Sequence, residues 1–356
     1  MAILLQVREL YRIPKSSREF EAAFNRFYDD AKHERAANGL HGTELEEFLD
    51  FLDEVLQLEG LNPGLFRKAL HSLWSTCNKR GMLPKPYIVS EGLSRTGDVP
   101  MASGGYANVW MGELTRNSGP MRVCIKTMKV PTKDGSEKIE KTWREEVSVW
   151  MRLKHPNVVQ CLGATANPPQ IIVEWMPEGE VMECVQKNSK ADRLHFVLGL
   201  TEGLHYLHSR GVIHGDLKPQ NVLVNARGDA CISDFGLAIV TRGKGTTGYE
   251  DPVARGRSSL WAAPEILTDA RVSKEADMFS YGLVAVGIFK GGSPWGQVTT
   301  AQVMTKIILG ERPVQAEGAN AYGLTTELWI SLTKCWHAKP EDRITISEIL
   351  EYLRSV

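Results

Sequence analysis

The stretch VIHGDLKPQNVLV, Val212–Val224, sets a carboxylate, an ammonium and an amide close together: Asp216, Lys218 and Asn221. Apolar and β-branched runs flank them on both sides. Their types and tight spacing are those of a catalytic loop. Gly215 stands immediately before the carboxylate. Two outcomes are open for such a loop: chemistry, or survival as a relic on a binding protein.

The elements that must hold this loop fall into two textures. Residues up to about 90 read as helices. In SSREFEAAFNRFYDDAKHERAANG, Ser16 precedes Glu19 at capping-box spacing. Phe20, Ala23, Phe24, Phe27 and Ala31 share one helical face, and Gly39 is a stop signal. TELEEFLDFLDEVLQLEG repeats the grammar, with Thr43 and Glu46 as cap. Its inward face is Leu45, Phe48, Leu49, Leu52, Val55 and Leu56, and Gly60 should end it. A third helix follows Asn62-Pro63 with Leu65, Phe66, Ala69, Leu70, Leu73, Trp74 and Cys77 inward, and RGMLPKP closes it. Three amphipathic helices with short connections predict a small bundle, serving as a brace for the next domain, as a partner-binding or assembly domain, or as a membrane-active bundle. From about Gly92, β-rich segments (VCIKTMKV, QIIVEWM) surround one helical block, and the remainder is mostly helical.

Composition narrows the classes. The chain has 356 residues, 42% hydrophobic and 24% charged, ordinary for a globular protein with a sizeable core. A formal net charge of -1 gives no bulk reason to expect nucleic acid or an acidic membrane as partner. Cys77, Cys124, Cys161, Cys184, Cys231 and Cys335 are scattered without a C-x-x-C pair, so packed thiols are expected, not a disulfide frame or zinc site. The apolar run in MAILLQVREL is too short for a signal peptide and no stretch is long enough to span a bilayer. A cytoplasmic protein is the expectation.

Across residues 93–356 several motifs occur in one order: VCIK, EEVSVWMRLKHPNVV, HGDLKPQN, SDFGLA, AAPE, ADMFSYG and CWHAKPEDR. In this the chain resembles the protein kinases, of serine/threonine type and the tyrosine-kinase-like group, with an HGD variant of the catalytic loop. The resemblance implies an α+β, two-lobed kinase fold, with a β-rich N-lobe (92–175) and an α-rich C-lobe (176–356), preceded by the helical domain (1–91). It also implies ATP and magnesium. Lys126 would contact the phosphates, and Glu146 would hold Lys126 through an ion pair. Asp234 and Asn221 would supply oxygen ligands to magnesium. Asp216 would orient the substrate hydroxyl and accept its proton, while Lys218 offsets charge on the transferring phosphate. Ala102, Gly104, Gly105, Val109, Glu174, Met176 and Leu223 would complete the nucleotide site. Val173 would guard its rear. Glu265 and Arg343 match a buried ion pair, and Asp277 matches a brace for the catalytic loop. Ser258 matches a hydroxyl residue beside Asp216 and Lys218.

Three departures bear on activity. The nucleotide-covering loop ASGGYANVW has Ala102 and Ala107 where the family has glycine, which predicts weaker ATP affinity. Cys124 replaces the alanine that roofs the adenine. Gly215 replaces an arginine that in the family pairs with a phosphorylated activation segment, so one form of regulation is missing while Asp216, Lys218 and Asn221 are intact. The segment TRGKGTTGYEDPVARGRSS keeps Thr246, Thr247, Tyr249, Ser258 and Ser259 as acceptors, with Arg242, Lys244, Arg255 and Arg257 as readers. The expected function is transfer of the ATP γ-phosphate to protein Ser or Thr. The alternative is a pseudokinase, a nucleotide-binding or scaffolding switch for the helical domain.

Overall fold

The computed structural model describes residues 7, 9–10, 13, 18–29, 39–104, 107–129, 136–241, 248–249, 260–315 and 322–355. Ser16, Ala31 and Gly105 lie outside them. So do Arg242, Lys244, Thr246, Thr247, Arg255, Arg257, Ser258, Ser259 and the Tyr249 side chain. The chain forms two compact units: Met1–Lys154 with Gln160–Trp175 and Val240–Arg242, and the remainder.

Three helices open the first unit. In α1 (Arg18–Asp29), Phe20, Phe24 and Phe27 recur at helical spacing and are buried. Ala23 is only half-buried. In α2 (Thr43–Leu56) all six expected apolar residues are buried. The Phe24 ring meets Phe51 at 6.2 Å and Phe27 meets Phe48 at 6.4 Å, joining the two helices. The expected Thr43 cap is corrected. Gly42 occupies the N-cap at φ 54, so Thr43 is already helical and no side chain caps this end. The helix also ends at Leu56, before Gly60. For α3 (Pro63–Arg80) the signals hold: the Asn62 side chain accepts from Gly64 N–H at 2.8 Å, and Gly81 closes it in the left-handed conformation. Trp74, expected inward, is half-buried.

An antiparallel sheet follows, in the order β1-β3-β4-β6-β5 with β2 beside β3. The strands are β1 (Leu93–Thr96), β2 (Ala102–Ser103), β3 (Ala107–Arg116), β4 (Gly119–Met128), β5 (Cys161–Ala166) and β6 (Pro169–Glu174). Period-two alternation sorts the faces. Trp110, Leu114, Val123, Ile125, Leu162 and Ile172 form a buried cluster on one side. Register places Ala102 opposite Val109, and Val109 opposite Lys126, in one row on the other side. Helix α4 (Ser136–Trp150) packs on β5 and β6, and Trp143 Nε1 donates to the Gln170 carbonyl at 2.9 Å. This helix stops short of Lys154. Its last bonds switch to i→i−3 (Arg152 N–H to Val149 O, Leu153 N–H to Trp150 O), and Pro156 follows.

The second unit is mainly helical: α5 (Val181–Lys187), α6 (Arg193–Ser209), α7 (Pro264–Asp269), α8 (Lys274–Lys290), α9 (Thr300–Ile308), α10 (Thr326–Thr333) and α11 (Ile346–Ser355). Every α8 residue from Ala276 to Phe289 is buried, which makes α8 the centre of this core. Short strands β7 (Gly179–Glu180), β8 (Val212–Ile213), β9 (Val222–Val224) and β10 (Ala230–Ile232) frame the loop of interest. Glu265 and Arg343 form the expected buried pair through two parallel bonds of 2.6 and 2.9 Å. None of the six cysteines is in a disulfide. No helix among the described residues is long and apolar enough to cross a membrane.

The connector after α3 runs against β5, where Val89 N–H donates to the Ala164 carbonyl at 2.8 Å. A Cβ on Gly163 would lie 2.4 Å from Val89 Cγ2. Valine is stiff and cannot swing clear. Gly163→Ala is therefore expected to lower the urea midpoint, at a cost of about 1–3 kcal/mol.

Candidate active site

Asp277, on α8, is 2% exposed and accepts from the backbone N–H of His214 at 2.8 Å and of Gly215 at 2.9 Å. His208 Nε2 lies 2.9 Å from its Oδ2. Burial alone would push this carboxyl up, but the His208 hydrogen bond, the nearby imidazoles and the Gly215 N–H outweigh it and hold it below its ordinary value. The brace anticipated at this position is present. Gly215 bends the chain there at φ 78, a left-handed conformation that costs a side-chain-bearing residue about 1–2 kcal/mol.

Past the bend, Lys218 Nζ lies 2.7 Å from Asp216 Oδ2. Asp216 N–H donates to His214 Nδ1 at 3.2 Å, which leaves the ring proton on Nε2, 3.0 Å from the Ser233 carbonyl. His214 also packs against the buried Phe235 ring at 5.3 Å. Strands β9 and β10 pair with Val222 opposite Ile232, so Asn221 meets Ser233 just beyond the ladder, with Asp234 next in line. Ser233 N–H donates to the Asn221 carbonyl at 2.8 Å. Asn221 Nδ2 donates to the Asp216 carbonyl at 2.9 Å, so its oxygen is the amide atom left to face a cation. Asp234 adopts φ 64, a conformation held only where surrounding structure enforces it. A carboxylate and an amide oxygen brought to one end of a hairpin suit a hard divalent cation.

In the other unit, Lys126 Nζ lies 2.8 Å from Glu146 Oε1, with side-chain exposures of 17% and 0%. Ala102 and Gly104 are exposed, and Val109 is half-buried beside Lys126. Lys129 Nζ holds this loop by donating to Ser103 Oγ at 2.9 Å and to the Gly104 carbonyl. Cys124 lies opposite Val173 on the Lys126 face. Burial pushes the Cys124 thiol up to about 11 against the pull of Lys126, so it stays protonated and acts as an apolar wall. Glu174 is exposed, Met176 is buried and Leu223 is half-buried. The structure thus assembles Lys126, Glu146, Val109 and Ala102 within one unit. It assembles Asp216, Lys218, Asn221 and Asp234 within the other.

Several contributors gave little or no sign in the sequence. His208 carried no local signal, since its partner is 69 residues away. Lys129 was visible only as one more charge beside Lys126.

Asp277→Asn tests the brace. One amide oxygen cannot replace two carboxylate oxygens, so at least one backbone donor is orphaned, at about 1–3 kcal/mol. Faster amide exchange at His214 and Gly215 and a lower urea midpoint are expected. In the wild type this carboxylate's stabilisation is complete above its unfolded value near 3.8 and is lost as pH falls through the lower folded value, a dependence the variant lacks.

Residues 98–353 match the family described as protein tyrosine and serine/threonine kinase. The chain is 28% identical over 246 residues to serine/threonine-protein kinase 12 of Arabidopsis thaliana, covering 66% of this chain and 52% of that protein. It is 30% identical over 263 residues to serine/threonine-protein kinase STY46 of the same plant, covering 72% and 43%. It is 28% identical over 262 residues to serine/threonine/tyrosine-protein kinase HT1, covering 71% and 64%. The chain thus spans less than two thirds of the length of each of these relatives. With more than half of its residues matched to the family, the chain belongs to the protein tyrosine and serine/threonine kinases.

Proposed function

We propose that this chain is a protein serine/threonine kinase, moving the γ-phosphate of ATP onto serine or threonine hydroxyls of a protein. The observation that carries the reading is the Asp216–Lys218 contact at 2.7 Å, beside an Asn221 amide turned by the Asp216 carbonyl. Phosphoryl transfer asks for positioning and charge stabilisation more than covalent help, and this loop supplies both. Asp216 orients the acceptor hydroxyl and takes its proton. Lys218, held at Asp216 Oδ2, offsets negative charge on the phosphoryl oxygens. Lys126 meets the α- and β-phosphates, kept in place by Glu146.

Asn221 and Asp234 would hold magnesium, which when bound neutralises phosphate-oxygen charge. Ala102 and Gly104 would cover the phosphates, and the two alanines of this loop weaken affinity without removing it. Val109, Cys124 and Val173 in one unit, and Leu223 in the other, are the proposed residues for the base, with backbone groups of Glu174 and Met176. Within this reading the helical domain ends at residue 91, the N-lobe runs 92–175 and the C-lobe 176–356. The relatives' names, serine/threonine kinases in two cases and serine/threonine/tyrosine in one, support Ser and Thr as acceptors.

Incubation with labelled ATP, magnesium and a mixed acceptor protein, followed by phosphoamino-acid analysis, is expected to place label on serine and threonine. Asp234→Asn should lower incorporation about 100-fold or more and abolish magnesium-dependent nucleotide binding while unfolding stays cooperative. Unchanged MgATP affinity in that variant would contradict the assignment. Nucleotide binding without transfer in the wild type would favour the switch over the enzyme.

A further inference from the structure

The C-terminal part of helix α4, which carries Glu146, is enclosed on all sides. Glu146, Val147, Ser148, Val149 and Trp150 are 1%, 0%, 0%, 1% and 3% exposed. Five successive buried residues exceed one helical turn, so no face of this stretch meets water. The sheet covers one side, through the Trp143 bond to β6 and the Glu146 pair with Lys126. Helix α3 of the N-terminal segment packs along α4 as well.

The contact ends in a polar lock. Arg152 lies in the turn that directly follows α4, its N–H bonded back to the Val149 carbonyl at 3.1 Å. Its Nε lies 2.7 Å from Asp53 Oδ1, on α2, and donates to Tyr87 Oη at 2.7 Å. Tyr87 Oη in turn donates to Asp53 Oδ1 at 2.6 Å, and its ring lies under the guanidinium at 4.8 Å. Gln57 Nε2 donates to Asp53 Oδ2 at 2.9 Å. Asp53, Tyr87 and Arg152 are 3%, 0% and 7% exposed. A buried ion pair of this kind gains little stability over apolar packing of the same volume. What it adds is registry: an apolar contact can slide, whereas these donors and acceptors are satisfied in one arrangement.

We infer that the N-terminal helical segment is a resident positioner of the Lys126–Glu146 pair, with Asp53, Tyr87 and Arg152 as positioning residues acting through α4. Glu146 lies within about two turns of the lock, so a tilt at the locked end carries the carboxylate away from Lys126. The catalytic consequence rests on the kinase reading, whereas the effect on α4 rests on the geometry alone.

Tyr87→Phe in the full chain removes the bridging hydroxyl and keeps the ring over Arg152. Glu46→Gln, at the exposed Lys85–Glu46 pair of 2.8 Å in the same segment, is the control. Amide exchange over 136–152 is compared with exchange over strands 107–128, and kcat and KM are measured for phosphate transfer. Tyr87→Phe is expected to speed exchange in 136–152 about tenfold with the strands unchanged, and to lower kcat with little change in acceptor KM. Glu46→Gln should alter neither, and Arg152→Lys, which keeps the charge, should fall between. Exchange that is unchanged in 136–152, or rises equally in the strands, would overturn the inference. A kcat unmoved by faster α4 exchange would overturn the coupling. Should the wild type transfer no phosphate, the kinase reading fails and the exchange comparison still decides whether the segment holds α4.

Discussion

A carboxylate removed from water must find donors, and Asp277 finds them in two successive backbone N–H groups and one imidazole. The catalytic loop depends on that constraint. With His214 and Gly215 tied to α8, the chain between β8 and β9 has little freedom, and Asp216, Lys218 and Asn221 follow in fixed order. The same physics recurs at Lys126–Glu146, Glu265–Arg343 and Asp53–Arg152. Each pair joins residues distant in sequence, and each would leave a buried charge uncompensated if one partner were lost, which is the costly event for such pairs. Charge placed inside this protein therefore acts chiefly as alignment.

Gly215 and Asp234 show two answers to a demanding backbone. Both have positive φ, at 78 and 64. Asp234 carries a side chain despite the strain, and a carboxylate is the group the proposed magnesium site would need there. At Gly215 the side chain is absent and the bend is adopted freely. The change removes a cation able to read a phosphorylated segment, yet it leaves the bonds to Asp277 and the Asp216–Lys218 contact in place. Under the proposed function, regulation and chemistry would be separable in this loop. The inferred role of the helical segment is directed at α4 instead of the loop.

Much of this was legible in the residues. Apolar periodicity located α1, α2 and α3, and the Asn62-Pro63 and Gly81 signals bounded α3 closely because they rest on local backbone chemistry. Motif order carried the two-lobed fold and singled out Glu265, Arg343 and Asp277. Thr43 misled because a glycine one position earlier took the cap with a backbone that threonine disfavours. Nonlocal partners were invisible: nothing near His208 announces Asp277, and nothing near Arg152 announces Tyr87, 65 residues earlier.

Under the proposed function, the loop beginning at Gly215 remains chemically competent. Its most direct test is the intact mass of the purified chain after incubation with ATP and magnesium, beside Asp216→Asn, with a generic basic protein as acceptor. Added phosphate on chain or acceptor in the wild type alone is the predicted result. Equal incorporation by both proteins, or incorporation by neither, would contradict the role assigned to Asp216.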